Sequence, residues 1–124
     1  RHATRVCGAD AERSVFFDHY VTRDPALTLD RGSRIEGIGR PRVEASFVAG
    51  VLDAMVQVPD AWSLGAAHAL SARLGRRVGG STGTNLVAAL ACADDMRRRG
   101  ERGSIVTLIC DDGERYRHSY FDAA

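Results

Sequence analysis

Lysine is absent: all 17 basic residues of the 124-residue chain are arginines. Without an ε-amino group these residues cannot form a Schiff base with a carbonyl cofactor or substrate, and a P-loop lysine is excluded as well. Long apolar runs are also missing. No stretch approaches the roughly 20 residues that a membrane-crossing helix requires, so no membrane is expected among the partners. The chain begins at Arg1 and shows no leader pattern, an arrangement read as a missing or processed natural start. Charge of one sign is not in excess. The net charge of +1 leaves no field that favours nucleic acid or an anionic surface. Cysteine is sparse and odd in number (Cys7, Cys92, Cys110), a pattern of free thiols in a reducing, cytoplasmic compartment. His2, His19, His68 and His118 are scattered without ligand spacing, so no metal site is expected.

What is present is ordinary for a folded chain. Hydrophobic residues make up 44% and charged residues 27%, enough for one domain or a large piece of one. There is no internal repeat or low-complexity segment. Thr4 to Ala9 reads as a short strand. From there to about Glu44 the pattern is irregular, punctuated by Pro25, Gly32, Gly37, Gly39 and Pro41, and irregular stretches of that length tend to be functional. The aromatic cluster Phe16-Phe17-Asp18-His19-Tyr20 is expected to pack onto something. Val51 to Val58 reads as a strand. A helix follows with Asp60 as N-cap, Trp62, Ala66, Ala69, Leu70 and Leu74 at helical spacing, and Gly75 as its stop. Arg77-Val78-Gly79 suggests a short strand, and Gly79 to Asn85 a glycine-rich turn. The next helix carries Leu86, Leu90, Ala93 and Met96 on one face and ends in Arg97-Arg98-Arg99, read as a solvated end favoured by the helix dipole. Trp62 and Met96 are expected in the core. Ser104 to Ile109 has the β-branched, uncharged character of a buried strand. Strands alternating with helices predict an α/β architecture with a parallel sheet.

Three constellations carry possible chemistry. Ser81 lies in the glycine-rich turn, where glycines admit a ligand to the backbone and a helix N-terminus offers free N–H groups. The alternative is a tight turn with Ser81 or Thr84 as N-cap. Gly79, Ser81 and Gly83 also satisfy G-x-S-x-G, and Asp111 or Asp112 and then His118 follow in hydrolase order. Acid and histidine stand only a few residues apart, however, and no oxyanion loop is present. Asp111-Asp112-Gly113 follows the last predicted strand at its C-terminal end, the edge where open α/β sheets bind ligands. If its strand neighbours the one before Ser81, the two loops share a crevice. Asp111 as a plain turn residue is the alternative.

Ile35-Glu36-Gly37-Ile38-Gly39, Val78-Gly79-Gly80-Ser81-Thr82-Gly83 and Gly113-Glu114-Arg115-Tyr116, in this order and approximate spacing, resemble three landmarks of the cysteine synthase-like enzymes. These are pyridoxal-phosphate (PLP) enzymes of fold type II, a group that includes cystathionine β-synthase. The likeness runs from about Thr4 to Asp122. Ser33-Arg34-Ile35-Glu36-Gly37-Ile38-Gly39-Arg40-Pro41-Arg42-Val43-Glu44 and Gly79-Gly80-Ser81-Thr82-Gly83-Thr84-Asn85-Leu86 are most similar to the L-cysteine desulfhydrase branch. Cys110 departs from the pattern, standing where many relatives have proline.

The resemblance implies a three-layer, parallel-sheet fold of which residues 1–124 form the C-terminal portion. It implies PLP as cofactor and L-cysteine as substrate, converted to sulfide, ammonia and pyruvate. A cysteine synthase acting on O-acetylserine is the alternative, and the whole enzyme is expected to be a homodimer. Ser81 matches the serine that hydrogen-bonds the pyridine nitrogen. A serine does not keep that nitrogen protonated, so the ring is a weaker electron sink and loss of a β-substituent is favoured over racemisation or transamination. Gly37, Ile38 and Gly39 match the loop that borders the substrate, and Asp111 matches a residue on the nitrogen side of the ring. The family's lysine, which is also the base for the α-proton, and its glycine-rich phosphate cradle match nothing here. No catalytic residue is therefore assigned in this chain, which is expected to be inactive alone and, with an uncovered sheet edge, prone to associate.

Overall fold

The computed structural model describes residues 4–122. Strands β1 (Cys7–Ala11) and β2 (Ala54–Val58) form a two-stranded parallel sheet in which Cys7 faces Ala54 and Ala11 faces Val58. Helix α1 (Val15–Thr22) follows β1, α2 (Asp60–Leu74) follows β2, and α3 (Gly80–Arg98) comes next. Helices α2 and α3 pack on each other, α3 also lies against both strands, and α1 lies against β2. The chain is thus α/β with a parallel pairing, as the alternation of patterns predicts.

The α2–α3 contact is built from small residues. Ser63, Ala67 and Ser71 are buried on α2; Gly80, Thr82, Gly83, Thr84 and Ala88 are buried on α3. A Cβ on Gly83 would overlap the Ser63 carbonyl and lie 2.9 Å from the Ala67 nitrogen, so here one helix touches the backbone of the other. The hydroxyl of Thr84 donates to Ser63 Oγ at 2.8 Å inside this contact. The expected apolar faces are therefore not the packed ones. Trp62 is 65% exposed and Leu90 61%, Leu74 and Ala93 also face out, and Met96 is only half-buried. The helices meet through narrow polar and glycine positions, which a search for large apolar residues passes over.

Several local features differ from the sequence reading for identifiable reasons. The first strand begins later than expected and runs through Asp10 to Ala11. The aromatic cluster is helical: Ser14 caps α1 by accepting from the Phe16 N–H, and the Asp10 carboxylate accepts from the Phe17 N–H at 2.9 Å. Burial pushes the Asp10 carboxyl above its ordinary value, against these bonds. Phe16 stacks on Phe47 with centroids 4.3 Å apart, the packing partner the cluster called for. Asp60 is the first residue of α2 rather than its N-cap, which is Pro59. Its buried carboxylate accepts instead from Ser33 Oγ at 2.6 Å and Arg34 N–H at 2.7 Å. Neither Ser81 nor Thr84 caps α3. Gly79 does so without a side chain, and Ser81 already lies in the helix. Gly75 stops α2 at φ 65° as expected. The basic end of α3 is solvated, with Arg97 and Arg98 on Asp94 and Arg99 on Asp95 and Glu101.

The segment 104–109 has no regular secondary structure and pairs with no strand among the described residues. Val106 is 89% and Leu108 71% exposed. A buried strand requires a ladder neighbour on at least one side, and none of these residues provides one. Its far end alone is held, by Asn85 Nδ2 on the Leu108 carbonyl at 3.2 Å and by the Cys110 N–H on Thr82 Oγ1 at 3.0 Å. Arg77–Gly79 contributes not a strand but one antiparallel bridge, Val78 with Asp112.

Two predictions follow from this packing. Gly83→Ala destabilises the chain by about 3 kcal/mol or more because backbone must move. Gly65→Ala on the same helix pair, where a Cβ meets nothing within 4 Å, stabilises it by about 0.5–1 kcal/mol. Equilibrium urea unfolding of the two variants measures both signs. The exposed run 105–109 makes the isolated chain self-associate, and Val106→Lys with Leu108→Glu reduces that association in sedimentation velocity.

Candidate functional site

The start of α3 is where the chain's separated motifs meet. Gly79, its N-cap, donates its N–H to the Asp111 carbonyl at 3.1 Å, and a Cβ on Gly79 would lie 3.0 Å from the Asp111 Cβ and 3.0 Å from the Tyr116 ring. Gly80 is just as tightly covered: a Cβ there would lie 3.1 Å from Ile35 and 3.3 Å from Tyr120. At both positions a side chain would crowd its neighbours, and the tightness comes from these approaches, not from φ. The Ser81 turn and the Asp111 loop therefore do share one place, although their flanking segments are joined by an antiparallel bridge and not as parallel neighbours.

Hydroxyl usage singles out Ser81. Thr82 Oγ1 accepts from the Cys110 N–H, and Thr84 Oγ1 is taken by Ser63 and the Gly80 carbonyl. Ser81 is half-buried, and its hydroxyl has no hydrogen-bond partner among the described residues. It is an available donor beside the N-terminal N–H groups of a 19-residue helix.

The loop at 33–39 is a closed turn. Ile35 is 1% exposed and anchors it against Gly80. Gly37 and Gly39 hold φ of 87° and 78°, conformations that favour glycine, and a side chain on Gly39 would also collide with Ser33. Gly37 is exposed, whereas Ile38 and Gly39 are half-buried. These three residues connect to the α3 start through Ile35 and Tyr120. The Tyr120 hydroxyl accepts from the Glu36 N–H at 2.7 Å and donates to the Arg34 carbonyl at 2.9 Å.

Asp111 is half-buried, and its carboxylate accepts from the Tyr116 hydroxyl at 2.7 Å. That bond, with burial behind it, pushes the Tyr116 phenol up to about 12. Gly113 has Arg77 and Val78 within 2.5 Å of where a Cβ would sit, so the Gly113–Tyr116 turn docks flush on the chain entering α3. Tyr116, Tyr120, Ile35, Ser33 and Asp60 are the members that the sequence reading missed. Tyr116 closes a motif already recognised, and Asp60 had a simpler capping role to occupy it. Nothing local marked Tyr120.

All three motif segments thus converge on one helix start, and the chain as a whole has close relatives of known name. It is 54% identical over 121 residues, 98% of its length, to L-cysteine desulfhydrase Cds1 of Mycobacterium tuberculosis. The chain belongs to the cysteine synthase family. Cysteine synthase 2 of Neurospora crassa is 36% identical to it over 124 residues, 91% of this chain. No protein-family model matches. The chain spans 33% of the length of the first relative and 26% of the second.

Within this family member, the hydrolase order of Ser81, Asp111 or Asp112 and His118 is not assembled. The Asp111 carboxylate serves Tyr116, Asp112 caps the Gly113–Tyr116 turn by accepting from the Glu114 N–H, and among the described residues no histidine hydrogen-bonds Ser81. Among the described residues no group of three His, Cys, Asp or Glu is placed to hold a metal, and no helix is long and apolar enough to cross a membrane. His2 lies outside the described residues. The three cysteines are free thiols; burial and the neighbouring Cys92 push Cys7 up to about 11, so it is a weak nucleophile near neutrality.

The Tyr116–Asp111 bond gives stability a pH dependence of defined sign. A phenol held above its unfolded value favours the folded state while protonated. Its contribution is therefore complete below about pH 10, the ordinary tyrosine value, and fades as pH rises through about 12. Thermal melts from pH 9 to pH 12 lose this component in Tyr116→Phe, whose melting temperature falls less steeply than that of the parent chain.

Proposed function

We propose that these residues form the wall around the cofactor ring and the substrate border of a PLP-dependent enzyme of fold type II, which in the whole protein converts L-cysteine to sulfide, ammonia and pyruvate. The observation that carries the reading is Ser81: one unpartnered, half-buried hydroxyl at the point where Asp111 and the Ile35–Gly39 loop are packed together. The donor set suits PLP. A neutral pyridine nitrogen accepts a single hydrogen bond and brings no charge to be balanced, and a serine hydroxyl supplies that bond without transferring a proton to the ring. In this reading Ser81 orients the ring, Asp111 lines its nitrogen side, and Gly37, Ile38 and Gly39 border the amino acid. Bound PLP supplies the electron sink that acidifies the amino acid α-carbon and lets the β-substituent leave.

The residues of this chain bind and orient; they do not supply the proton-transferring amine, because no lysine is among them. Residues 1–124 are accordingly a C-terminal portion of the catalytic domain and inactive alone, and the whole enzyme is a homodimer. The name of the 54% identical relative favours desulfhydration. The name of the 36% identical relative supports a second reading, a cysteine synthase that adds sulfide to an O-acetylserine-derived acceptor.

The test uses the whole polypeptide that carries these residues. Desulfhydrase activity appears as sulfide and pyruvate from L-cysteine, synthase activity as cysteine from O-acetylserine and sulfide. Ser81→Ala lowers the favoured rate by about tenfold, the worth of one hydrogen bond to the ring, and shifts the visible absorption of the bound cofactor. Unchanged rate and spectrum in Ser81→Ala would remove Ser81 from the site.

A further inference from the structure

We infer that Tyr120 is a positioning residue that sets the Gly37–Gly39 loop relative to the start of α3; the inference rests on the reading of that loop as the substrate border. The loop needs an external hold. Two of its glycines sit at positive φ, and a Cβ at Gly37 would meet nothing within 4 Å, so packing does not fix its tip. Its N-terminal side is tied to α2, by Ser33 and the Arg34 N–H on the Asp60 carboxylate. Beyond Arg34, the Tyr120 hydroxyl is the one group outside the loop that hydrogen-bonds the backbone of residues 35–39 among the described residues. It accepts from Glu36 and donates to Arg34, so its single proton is used and both bonds tie the loop to a residue more than 80 positions away.

The other sides of Tyr120 are equally committed. Its ring stacks on Tyr116 with centroids 4.9 Å apart and lies against Gly80, while its carbonyl oxygen is 2.7 Å from His68 Nε2 of α2. Tyr116 in turn holds the Asp111 carboxylate, and the Asp111 carbonyl holds Gly79. One phenol therefore touches the substrate-border loop and the helix start that carries Ser81, and ends a chain of contacts reaching Asp111. A residue in that position acts on substrate through the loop and not by touching the reacting atoms.

Tyr120→Phe separates these roles, because it keeps the ring stack and deletes both loop bonds. In the whole protein, amide hydrogen exchange over residues 35–39 accelerates by about tenfold, with the melting temperature nearly unchanged. KM for L-cysteine rises by about tenfold while kcat changes by about twofold or less. Tyr120→Leu, which also removes the stack, lowers the melting temperature and gives no additional rise in KM beyond about twofold. Unchanged exchange at 35–39 in Tyr120→Phe overturns the inference, and so does faster exchange with an unchanged KM. A parent protein that releases nothing from cysteine, yet shows the exchange difference, sinks the functional reading and with it the loop's substrate role, while the hold of Tyr120 on the loop stands.

Discussion

The closest constraint in this molecule is the contact of α2 with α3 at Gly83, where a missing side chain lets one helix rest on the Ser63 carbonyl of the other. Everything at the candidate site is referred to that contact. It fixes the axis of α3 against α2, and so fixes where Gly79, Gly80 and Ser81 emerge. It also fixes the start of α2, whose Asp60 holds Ser33 and Arg34. The 33–39 loop and the helix carrying Ser81 are thus positioned by two helices that cannot slide apart without losing a backbone-close packing surface.

A second theme is the use of hydroxyls as two-way connectors. Ser71 donates to the Ala67 carbonyl and accepts from the Val78 N–H, tying the end of α2 to the chain entering α3. Ser33 donates to Asp60 and accepts from the Ile35 N–H. Tyr120 does the same between Arg34 and Glu36. Each uses the one proton and one lone pair that a hydroxyl offers, so no buried side-chain polar atom among the described residues is left unpartnered. The Ser81 hydroxyl lies outside this scheme, half-buried and without a hydrogen-bond partner among the described residues.

Much of the arrangement was legible from sequence. The parallel α/β alternation, the Gly75 stop and the solvated arginine end of α3 follow from local pattern, whereas Ser81 and Asp111 meet through an antiparallel bridge and not through the parallel strands on which the sequence reading made their meeting depend. What escaped did so for physical reasons. The α2–α3 interface hides because Ser, Ala, Gly and Thr carry no hydrophobic signature, so Trp62 was placed in the core when it faces out, and Met96 when it is only half-buried. The helix Val15–Thr22 hides because its caps, Ser14 and the more distant Asp10, precede an aromatic run with little helical bias. Residues 104–109 have a strand's composition without a strand's neighbours. Tyr120 was unreadable because its role lies in partners more than 80 residues away.

The cover over Gly80 has a consequence for exchanging parts between relatives. Ile35, Gly80 and Tyr120 meet in space from three distant stretches of chain, each shaped to the absence of a side chain on the second. A loop grafted as residues 33–39 alone keeps its fit only where its Ile35 equivalent suits the glycine at position 80 and the tyrosine at position 120. The transferable unit is the loop together with positions 80 and 120, so the border of this site is inherited as a discontinuous set of residues and not as a contiguous motif.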